Sequence, residues 1–383
     1  MLNLKHHFLL DPSVTFLNHG SFGATPKPVY REYQRWQREM EKQPVEFLGR
    51  RITQLLADSR AELGKYLGTN GDNLVYTQNV TVSLNIVARS LELDAGDEVL
   101  TTNHEYGAVD RTWRFLSKER GFTYINQLIT TPLTTAEQFI EDVWQGVTPR
   151  TRVICLSHIT SPTAIIFPIK EIIRRAREKG IITIIDGAHV AGQIPLHLDS
   201  LGADFYGGNL HKWLCAPKGA GFLYARPEMQ HLLKPLVVSW GYESITPSGS
   251  NFIDHNDWWG TRDHSAFLAV PAAIRFQQKH DWDEVRESCH QLVSYAQARI
   301  CELTELAPLH PLTGSWFAQM AAAPLPADIA ILPLKNRLYD EFRIEVPLVE
   351  WNGNKLVRIS VQGYNTRRDV DKLIDTLAVI LKE

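Results

Sequence analysis

Short apolar runs alternate with helical patterns along most of this 383-residue chain, and this alternation constrains the fold more than any other feature. The runs are four to six residues long and are bounded by turn residues, which is typical of buried strands. Strands that alternate with helices predict an α/β domain whose mostly parallel sheet is buried on both faces. The predicted strands are residues 74–77, 98–101, 123–126, 152–157, 181–186, 204–207 and 221–224.

The helical patterns and the chain length predict a second, smaller domain. A chain of this length is too long for one simple core, so one large and one smaller domain are expected. From residue 329 onward the pattern becomes α+β, with predicted strands at 329–333 and 356–361. The predicted helices are residues 27–65, interrupted near Pro44, then 82–90, 110–120, 169–179, 265–303, bent at Pro271, 336–342 and 366–381.

Charge and composition exclude several classes of protein. A formal net charge of -3 argues against a nucleic-acid-binding groove, which would need an excess of clustered Lys and Arg. The four cysteines have no paired spacing and the 14 histidines are scattered, so neither a disulfide framework nor a metal site is predicted. No apolar stretch approaches the roughly 20 residues that span a bilayer. We therefore expect a cytoplasmic protein with no membrane partner.

An acid and a lysine follow two of the predicted strands. Asp186 ends the apolar run 181–186, and Lys212 follows the short strand 204–207 among Leu210 and Trp213. An acid at the end of a buried strand needs a cation, and a desolvated lysine becomes a neutral nucleophile. This pair suits pyridoxal 5′-phosphate (PLP), since the acid would protonate the ring nitrogen and the lysine would form the covalent link. The alternative is an ion pair that only joins two strands.

A candidate phosphate cradle lies at residues 77–81, between a predicted strand and a predicted helix. Its backbone N–H groups, the helix dipole and the Thr81 hydroxyl would attract a phosphate. An Asn at such a position is also an ordinary helix N-cap, so Asn79 by itself does not decide between the two interpretations. Its place in the same sheet as Asp186 and Lys212 favours phosphate binding.

Seven segments, in order along nearly the whole chain, carry a family resemblance. They are residues 16–23 (FLNHGSFG), 104–108 (HEYGA), 157–161 (SHITS), 186–189 (DGAH), 211–213 (HKW), 260–263 (GTRD) and 364–366 (YNT). The sequence resembles the class V aminotransferase family of PLP enzymes, and within it the isopenicillin N epimerase-like proteins. The resemblance implies the fold-type-I PLP-dependent transferase fold. That fold is α/β, with a mostly parallel mixed seven-stranded sheet in a large domain (16–276) and a smaller α+β domain (277–383, with 1–15).

The resemblance also implies roles for residues around the cofactor. The cradle residues Val80 and Thr81 would hold the phosphate, and Tyr106 would pack its ring on the pyridine face. Ser161 and His189 would lie near the phenolic oxygen of PLP. Asn209 and His211, which lie just before Lys212 in the chain, would contact the phosphate.

Further implied roles concern the substrate and a second chain. Thr261 would reach the phosphate bound by the neighbouring subunit, which implies a homodimer with shared active sites. Arg358 corresponds to the arginine that binds the substrate carboxylate, a group that a guanidinium fork suits; the alternative is an edge-strand arginine in a salt bridge. Asn18 and His19 lie in the loop that lines the substrate entrance in relatives.

The expected reaction is epimerisation or racemisation of an amino acid at Cα, with Lys212 acting on one face. Tyr106 and His19 are the candidates for the second acid/base. A desulfurase is disfavoured because residues 344–351 contain no nucleophilic cysteine and none follows Cys301. A C–S lyase of the cysteine or cystine type and a class V aminotransferase remain alternatives. A binding or scaffold protein that has lost its catalytic activity is disfavoured by the intact Asp186–Lys212 pair.

The sequence also disfavours one other class of enzyme and leaves the role of four aromatic residues open. A nicotinamide-dependent oxidoreductase is disfavoured because no GxGxxG follows any predicted strand. Four aromatic residues after the sheet would line either the substrate site or a dimer interface, and the sequence does not choose between these. They are Trp240, Tyr242, Trp258 and Trp259.

Overall fold

The computed structural model describes residues 4–312 and 315–382 as helices, strands and connecting loops. Residues 1–3 and 383, which the predicted small domain includes, lie outside the described residues. The strands are β1 (Thr15–Phe16), β2 (Leu74–Thr77), β3 (Glu98–Thr102), β4 (Thr123–Gln127), β5 (Thr151–Ser157), β6 (Ile182–Gly187), β7 (Phe205–Asn209), β8 (Gly221–Ala225), β9 (Met320–Leu325), β10 (Ile344–Glu345), β11 (Leu348–Trp351) and β12 (Asn354–Ser360).

Helices surround these strands. The α-helices are α1 (His19–Phe22), α2 (Lys27–Lys42), α3 (Pro44–Glu46), α4 (Ile52–Leu67), α5 (Val80–Ser90), α6 (Gly107–Arg120), α7 (Ala136–Trp144), α8 (Ile169–Glu178), α9 (Leu198–Leu201), α10 (Asn251–Asp257), α11 (Ser265–Leu268), α12 (Val270–Lys279), α13 (Trp282–Thr304), α14 (Ile331–Asp340) and α15 (Arg367–Ile380). Short 3₁₀ turns lie at Lys5–His7, Gly71–Asn73 and Pro227–Leu232, and a π-helical turn lies at Phe47–Arg51.

The large sheet has seven strands in the order β2-β8-β7-β6-β5-β3-β4. Strand β8 pairs antiparallel with both of its neighbours, and every other pair in this sheet is parallel. Residues 153–156 of β5 are fully buried, as expected for a central strand covered by helices on both faces. The predicted α/β, fold-type-I architecture with a mixed seven-stranded sheet is confirmed, and all seven predicted strands occur within two residues of their expected bounds.

A second sheet has three antiparallel strands in the order β11-β12-β9, and the two-residue strand β1 pairs in parallel with β10. The chain segment just before the large sheet therefore contacts the C-terminal part of the molecule. An isolated bridge between Asn18 and Ser360 continues this contact. The predicted domain boundary between residues 276 and 277 stays a prediction.

Two expectations in the C-terminal part were wrong. Residues 329–333 were expected to form a strand, but α14 begins at Ile331, because Leu334 and Leu338 are buried one turn apart. Pro333 lies in the first helical turn, where a backbone N–H has no partner within the helix in any case. The strand β9 was missed because three of its six residues are alanines, which have a low strand propensity.

The long helical segment 265–303 is divided into three helices rather than bent once. Pro271 lies at the start of α12, where its ring is tolerated, and Asp281 separates α12 from α13 with a left-handed backbone (φ 43°). The interruption predicted near Pro44 is confirmed by the break between α2 and α4. Within the described residues, no helix is both long enough and apolar enough to cross a membrane.

Candidate active site

The carboxyl ends of the central strands surround a cavity of about 300 Å³. In parallel α/β sheets this edge is where ligands bind, because loops rather than covering helices close it. Nine of the thirteen site residues predicted from the sequence line the cavity. They are Val80, Thr81, Tyr106, Ser161, Asp186, His189, Asn209, His211 and Lys212.

Lys212 lies in the turn after β7, and its amine points towards a buried histidine. Its Nζ lies 3.3 Å from Nε2 of His189. Burial lowers the pKa of Lys212 well below the usual lysine range, and the charge of Arg358 lowers it further, while Asp186 opposes the shift. A lysine in this environment has a large neutral fraction near neutral pH, which is the form that attacks an aldehyde.

His189 is held in one tautomer by its neighbours. The indole Nε1 of Trp213 donates a hydrogen bond to Nδ1 of His189, at 3.3 Å. Burial and the charges of Lys212, Arg358 and His211 keep the pKa of His189 well below its usual value, so the ring is neutral. Because Nδ1 accepts, the proton of the neutral ring is on Nε2, and that N–H points to the side of the cavity where Lys212 lies.

Asp186 lies near the end of β6 and is buried, and only one of its carboxylate oxygens has a partner among the described residues. Oδ1 accepts from the backbone N–H of Ala188 at 2.9 Å, whereas Oδ2 is buried and has no hydrogen-bond partner among the described residues. Burial raises the pKa of Asp186, while the Ala188 N–H and the charge of Lys212 oppose the shift. A buried carboxylate oxygen without a donor is costly, and a protonated ring nitrogen of PLP would supply that donor.

The predicted phosphate cradle lies at the start of α5. Asn79 is the N-cap, and its side chain accepts from the N–H of Val82 at 3.1 Å. The N–H of Val80 already donates to Oδ1 of Asn209 at 2.9 Å, so this structure shows that donor engaged by a side chain. The cavity is also lined by Thr81, at the positive end of the helix dipole.

His211 lies next to this cradle as a neutral ring. Burial lowers its pKa to about 4. Its Nδ1 donates to the carbonyl oxygen of Ala220 at 3.1 Å, which leaves Nε2 as an acceptor in the neutral form. An anion bound at the cradle would favour a proton on Nε2 and so raise this pKa.

Arg358 is a buried cation that has no carboxylate partner in the part of the chain that the structure describes. It lies on β12, the central strand of the three-stranded sheet, and is 5% exposed. Its Nη1 donates to the carbonyl and hydroxyl oxygens of Ser161, at 2.6 and 3.2 Å, and its Nη2 donates to the Ser21 hydroxyl at 3.1 Å. Its Nε has no partner among the described residues. Burial lowers the pKa of Arg358 to about 10, so it stays charged at neutral pH.

This environment argues against the edge-strand salt-bridge interpretation of Arg358. The strand is not at an edge, and no acidic side chain of the described residues lies within ion-pair distance of the guanidinium. A buried charge that is held only by neutral oxygens is suited to bind a carboxylate from outside. Ser161 was expected near the phenolic oxygen of PLP. Its carbonyl and hydroxyl oxygens instead accept hydrogen bonds from Arg358.

The remaining predicted residues do not line the cavity. His19 is fully buried behind the lysine: its Nδ1 is 2.8 Å from the Tyr364 hydroxyl, and its Nε2 is 3.0 Å from the Lys212 carbonyl oxygen. Burial lowers the pKa of His19 to about 3, which makes it a poor proton donor. Asn18 donates from Nδ2 to Glu345 at 2.8 Å. The predicted substrate-binding role of both residues is therefore not supported by their positions, while Thr261 is exposed outside the cavity.

Further residues line the site or support it, although the sequence gave them no individual role. Ser21 and Phe22 line the cavity, whereas Asn18 and His19 of the same motif are buried and do not line it. Gln78 and Ser157 also line the cavity, and Glu105 hydrogen-bonds to Ser157. The four aromatic residues Trp240, Tyr242, Trp258 and Trp259 are not among the lining residues.

Sequence comparisons agree with this geometry. The chain matches the aminotransferase class-V family over residues 19–315. It is 34% identical to isopenicillin N epimerase of Amycolatopsis lactamdurans, with 99% of this chain and 98% of that protein covered. It is 33% identical to isopenicillin N epimerase of Streptomyces clavuligerus, with the same shares covered. A probable chloroplastic L-cysteine desulfhydrase of Arabidopsis thaliana is 27% identical over 99% of this chain and 85% of its own length.

Solved structures share the fold. An apo cysteine desulfurase from Thermococcus onnurineus NA1 superposes with a TM-score of 0.85, at 21% identity, over 99% of this chain and 97% of that one. A C-DES variant with glycine covalently linked to its PLP cofactor also has a TM-score of 0.85, at 22% identity and with 98% of both chains covered. At these identities the likeness establishes the fold, and the chemistry has to be argued from the site.

Proposed function

The chain belongs to the class V aminotransferase family of PLP-dependent enzymes, and from this premise we propose that it acts at Cα of an amino acid as an epimerase or racemase. The observation that carries the proposal is one cavity lined by the desolvated amine of Lys212 and by the buried carboxylate of Asp186, whose Oδ2 has no partner among the described residues. Arg358 does not line this cavity, but it donates to Ser21 and Ser161, which do, and it has no carboxylate partner among the described residues. Full-length similarity to two isopenicillin N epimerases favours epimerisation over the other reactions of the family.

Each group has a separate role in this proposal. PLP supplies an aldehyde that reacts with amines and a ring that withdraws electrons from the bonds at Cα. Asp186 would hold a proton at the ring nitrogen, and the cradle at Val80 and Thr81 would hold the phosphate. Lys212, as a neutral amine, would remove the Cα proton on one face, while Arg358 would fix the substrate carboxylate so that Cα lies within its reach.

An epimerase also needs a proton donor on the opposite face. Tyr106 is the proposed donor, because it lines the mouth of the cavity, is 44% exposed, and lies at the N-terminus of α6 without a side-chain capping bond. The other candidate from the sequence, His19, is buried and engaged on both ring nitrogens. Tyr106 would therefore combine two roles, packing its ring against the cofactor and donating from its hydroxyl.

A second candidate function is a lyase that breaks a C–S bond. It needs one base, and the lysine supplies it, whereas the opposite-face donor depends on Tyr106 alone. Similarity to a probable L-cysteine desulfhydrase over nearly the whole chain supports this candidate. The absence of any cysteine after Cys301 still argues against a route through a protein persulfide.

Proton NMR in D₂O separates these reactions. The PLP-loaded wild type, Lys212→Ala and Tyr106→Phe would each be incubated with a panel of L-amino acids with and without a 2-oxo acid. The epimerase proposal expects deuterium at Cα and accumulation of the D-isomer with wild type, and neither with Lys212→Ala. Tyr106→Phe keeps the ring but loses the hydroxyl, so it should still exchange the Cα proton while D-isomer formation falls about 10²-fold.

Two outcomes would contradict the proposal. Pyruvate with ammonia and sulfide would indicate the lyase, and amino transfer to the oxo acid would indicate an aminotransferase. A control absorbance scan should show a cofactor band that borohydride abolishes in wild type and that is missing in Lys212→Ala. A wild type without this band would overturn the assignment of Lys212 itself.

We also propose that the chain forms a homodimer with shared active sites. Thr261 is exposed and lies outside the cavity of its own chain, as expected for a residue that serves the neighbouring subunit. The segment of residues 236–245, here called the apolar loop, exposes large apolar side chains, with Trp240 at 80% and Ile245 at 89%. Exposed apolar surface of this kind is typical of a protein interface. A cytoplasmic location stays a prediction from the sequence.

A further inference from the structure

A second buried carboxyl lies close to the cavity and belongs to Glu105, in the turn after β3. Its Oε1 accepts from the Thr102 hydroxyl at 2.8 Å, and its Oε2 accepts from the backbone N–H and the hydroxyl of Ser157, both at 2.8 Å. No cation of the described residues lies within ion-pair distance of it. When Glu105 is ionised, its charge is therefore stabilised among the described residues only by three neutral hydrogen-bond donors.

Ser157 connects Glu105 to the residue proposed to hold the ring nitrogen. In the parallel pair β5–β6, Ser157 is the register partner of Asp186, and both line the cavity. Side chains at paired positions of neighbouring strands lie on the same face of a sheet. The Asp186 charge also acts on Glu105 directly, since it contributes to raising the pKa of Glu105. The carboxylates of Glu105 and Asp186 therefore lie at the same end of the cavity.

Glu105 also has access to solvent on its other side. A surface cavity of about 230 Å³ is lined by Glu105 and Thr102 together with Asp110 and Asn126. Glu105 therefore lies between this surface cavity and the wall residue Ser157 of the active-site cavity. Burial raises the pKa of Glu105 to about 7, against the pull of its three donors, so its charge changes near neutral pH. The nearby Cys155 thiol stays neutral there, because burial and both carboxylates raise its pKa.

We propose that Glu105 is a positioning residue of the active site, which fixes Ser157 in the cavity wall and places a second negative charge behind Asp186. The inference rests on the proposed PLP function. Ionised Glu105 would strengthen the attraction of this end of the cavity for a protonated ring nitrogen, because two carboxylates in a poorly solvated site attract one cation more strongly than one does. The effect would appear only where Glu105 is ionised, which is above neutral pH.

Glu105→Gln separates the charge from the hydrogen bonds. The amide oxygen can accept from both donors of Ser157, and the amide nitrogen can donate to the Thr102 hydroxyl, so the wall keeps its bonds while the charge is lost. The measurement is the Kd of the full-length apoprotein for PLP at pH 5.5 and pH 8.5, with the absorbance band of the bound cofactor recorded at each pH. We expect binding roughly fivefold weaker than wild type at pH 8.5 and equal within about twofold at pH 5.5.

Matched controls keep the result interpretable. Asp110→Asn removes a carboxyl from the same surface cavity, and should leave the Kd for PLP unchanged at both pH values. Ser157→Ala keeps the Glu105 carboxyl but removes one of the donors that lower its pKa, so it should weaken PLP binding at pH 8.5 less than Glu105→Gln does. A Glu105→Gln variant that matches wild type at pH 8.5, or that is equally weakened at both pH values, would overturn the inference. A wild type that fails to bind PLP would instead overturn the proposed function.

Discussion

Proteins usually expose charged groups and bury large apolar side chains, and two regions of this protein depart from that pattern in opposite ways. Around the active-site cavity, charged groups are buried without full partners among the described residues: Asp186, at 2% exposure, lines the cavity, and Arg358, at 5%, donates to two of the lining residues. The apolar loop instead exposes large apolar side chains. These are Leu236, Val237, Val238, Trp240, Tyr242 and Ile245.

The difference indicates which kind of molecule would stabilise each region by binding to it. A buried charge without a counter-charge is stabilised by a small ligand that brings hydrogen-bond donors or opposite charge. An exposed apolar segment is stabilised by a surface that excludes water over a wide area. We therefore attribute the cavity to a cofactor and an amino acid, and the apolar loop to a second copy of the chain. The predictions that follow test this contrast.

The largest effect is expected from removing the unpaired cation. Arg358→Met keeps most of the side-chain length but loses the charge-assisted hydrogen bonds, each of which contributes about 1.5–3 kcal/mol. KM for the amino-acid substrate should rise about 100-fold, while the Kd for PLP stays near the wild-type value. Because an unpaired buried charge is removed, the melting temperature should not fall. A parallel loss of PLP binding would mean that Arg358 supports the fold rather than the substrate.

A smaller effect is expected from placing a charge in the apolar loop. Trp240→Asp should raise the dimer dissociation constant at least about tenfold, because a charge would be buried at the interface. Sedimentation over a range of protein concentrations measures this change. Leu128→Asp is a matched control, since Leu128 is 62% exposed and lies outside the loop. Equal sedimentation of both variants and wild type would show that the apolar loop is not the interface.

A third effect is on stability rather than on binding, and it concerns the pH dependence of the apoprotein. The pKa of Glu105 is about 7 in the folded chain and about 4.5 in the unfolded chain, so the folded state binds the proton more tightly. Its contribution to stability is complete below pH 4.5 and is lost as the pH rises to about 7. Glu105→Gln should remove this loss, which amounts to about 3 kcal/mol at most.

The test compares the free energy of unfolding of wild-type and Glu105→Gln apoprotein at pH 5 and pH 8, from urea titrations with equal slopes. The difference between pH 5 and pH 8 should be smaller in the variant than in wild type. Asp186 also has a raised pKa and contributes a trend of the same sign, so a residual difference should remain. An unchanged pH trend in the variant would contradict the raised pKa of Glu105.

The sequence was informative wherever local chemistry is strong. Strand bounds in the large sheet were predicted within two residues because β-branched runs end at turn residues, as at Ile182–Gly187. Lys212 and Asp186 could be singled out as candidates because Asp186 lies near the end of one strand of the large sheet and Lys212 follows the next strand along the chain. The alanine-rich β9 and the helix α14 were misjudged, since short apolar or small-residue runs have no decisive period.

The side-chain partners within the site could not be predicted from the sequence. Asn18 and His19 belong to a motif that does approach the cavity, but Ser21 and Phe22 are the residues that line it. The direction of each side chain there depends on contacts with Tyr364 and Glu345, which are more than 300 residues away in the chain. Likewise, Ser161 contacts Arg358 only because the three-stranded sheet packs beside the loop after β5.

The sequence by itself thus determined the fold class and the family, and it singled out Lys212 and Asp186 as candidates, because strand periodicity and short motifs are local properties of the chain. Only the tertiary structure decided which charges lack partners, which histidines are neutral, and that Glu105 lies beside the cavity. Burial and hydrogen-bond satisfaction depend on groups that distant segments bring together, and these two quantities set the pKa values and the binding properties of the site.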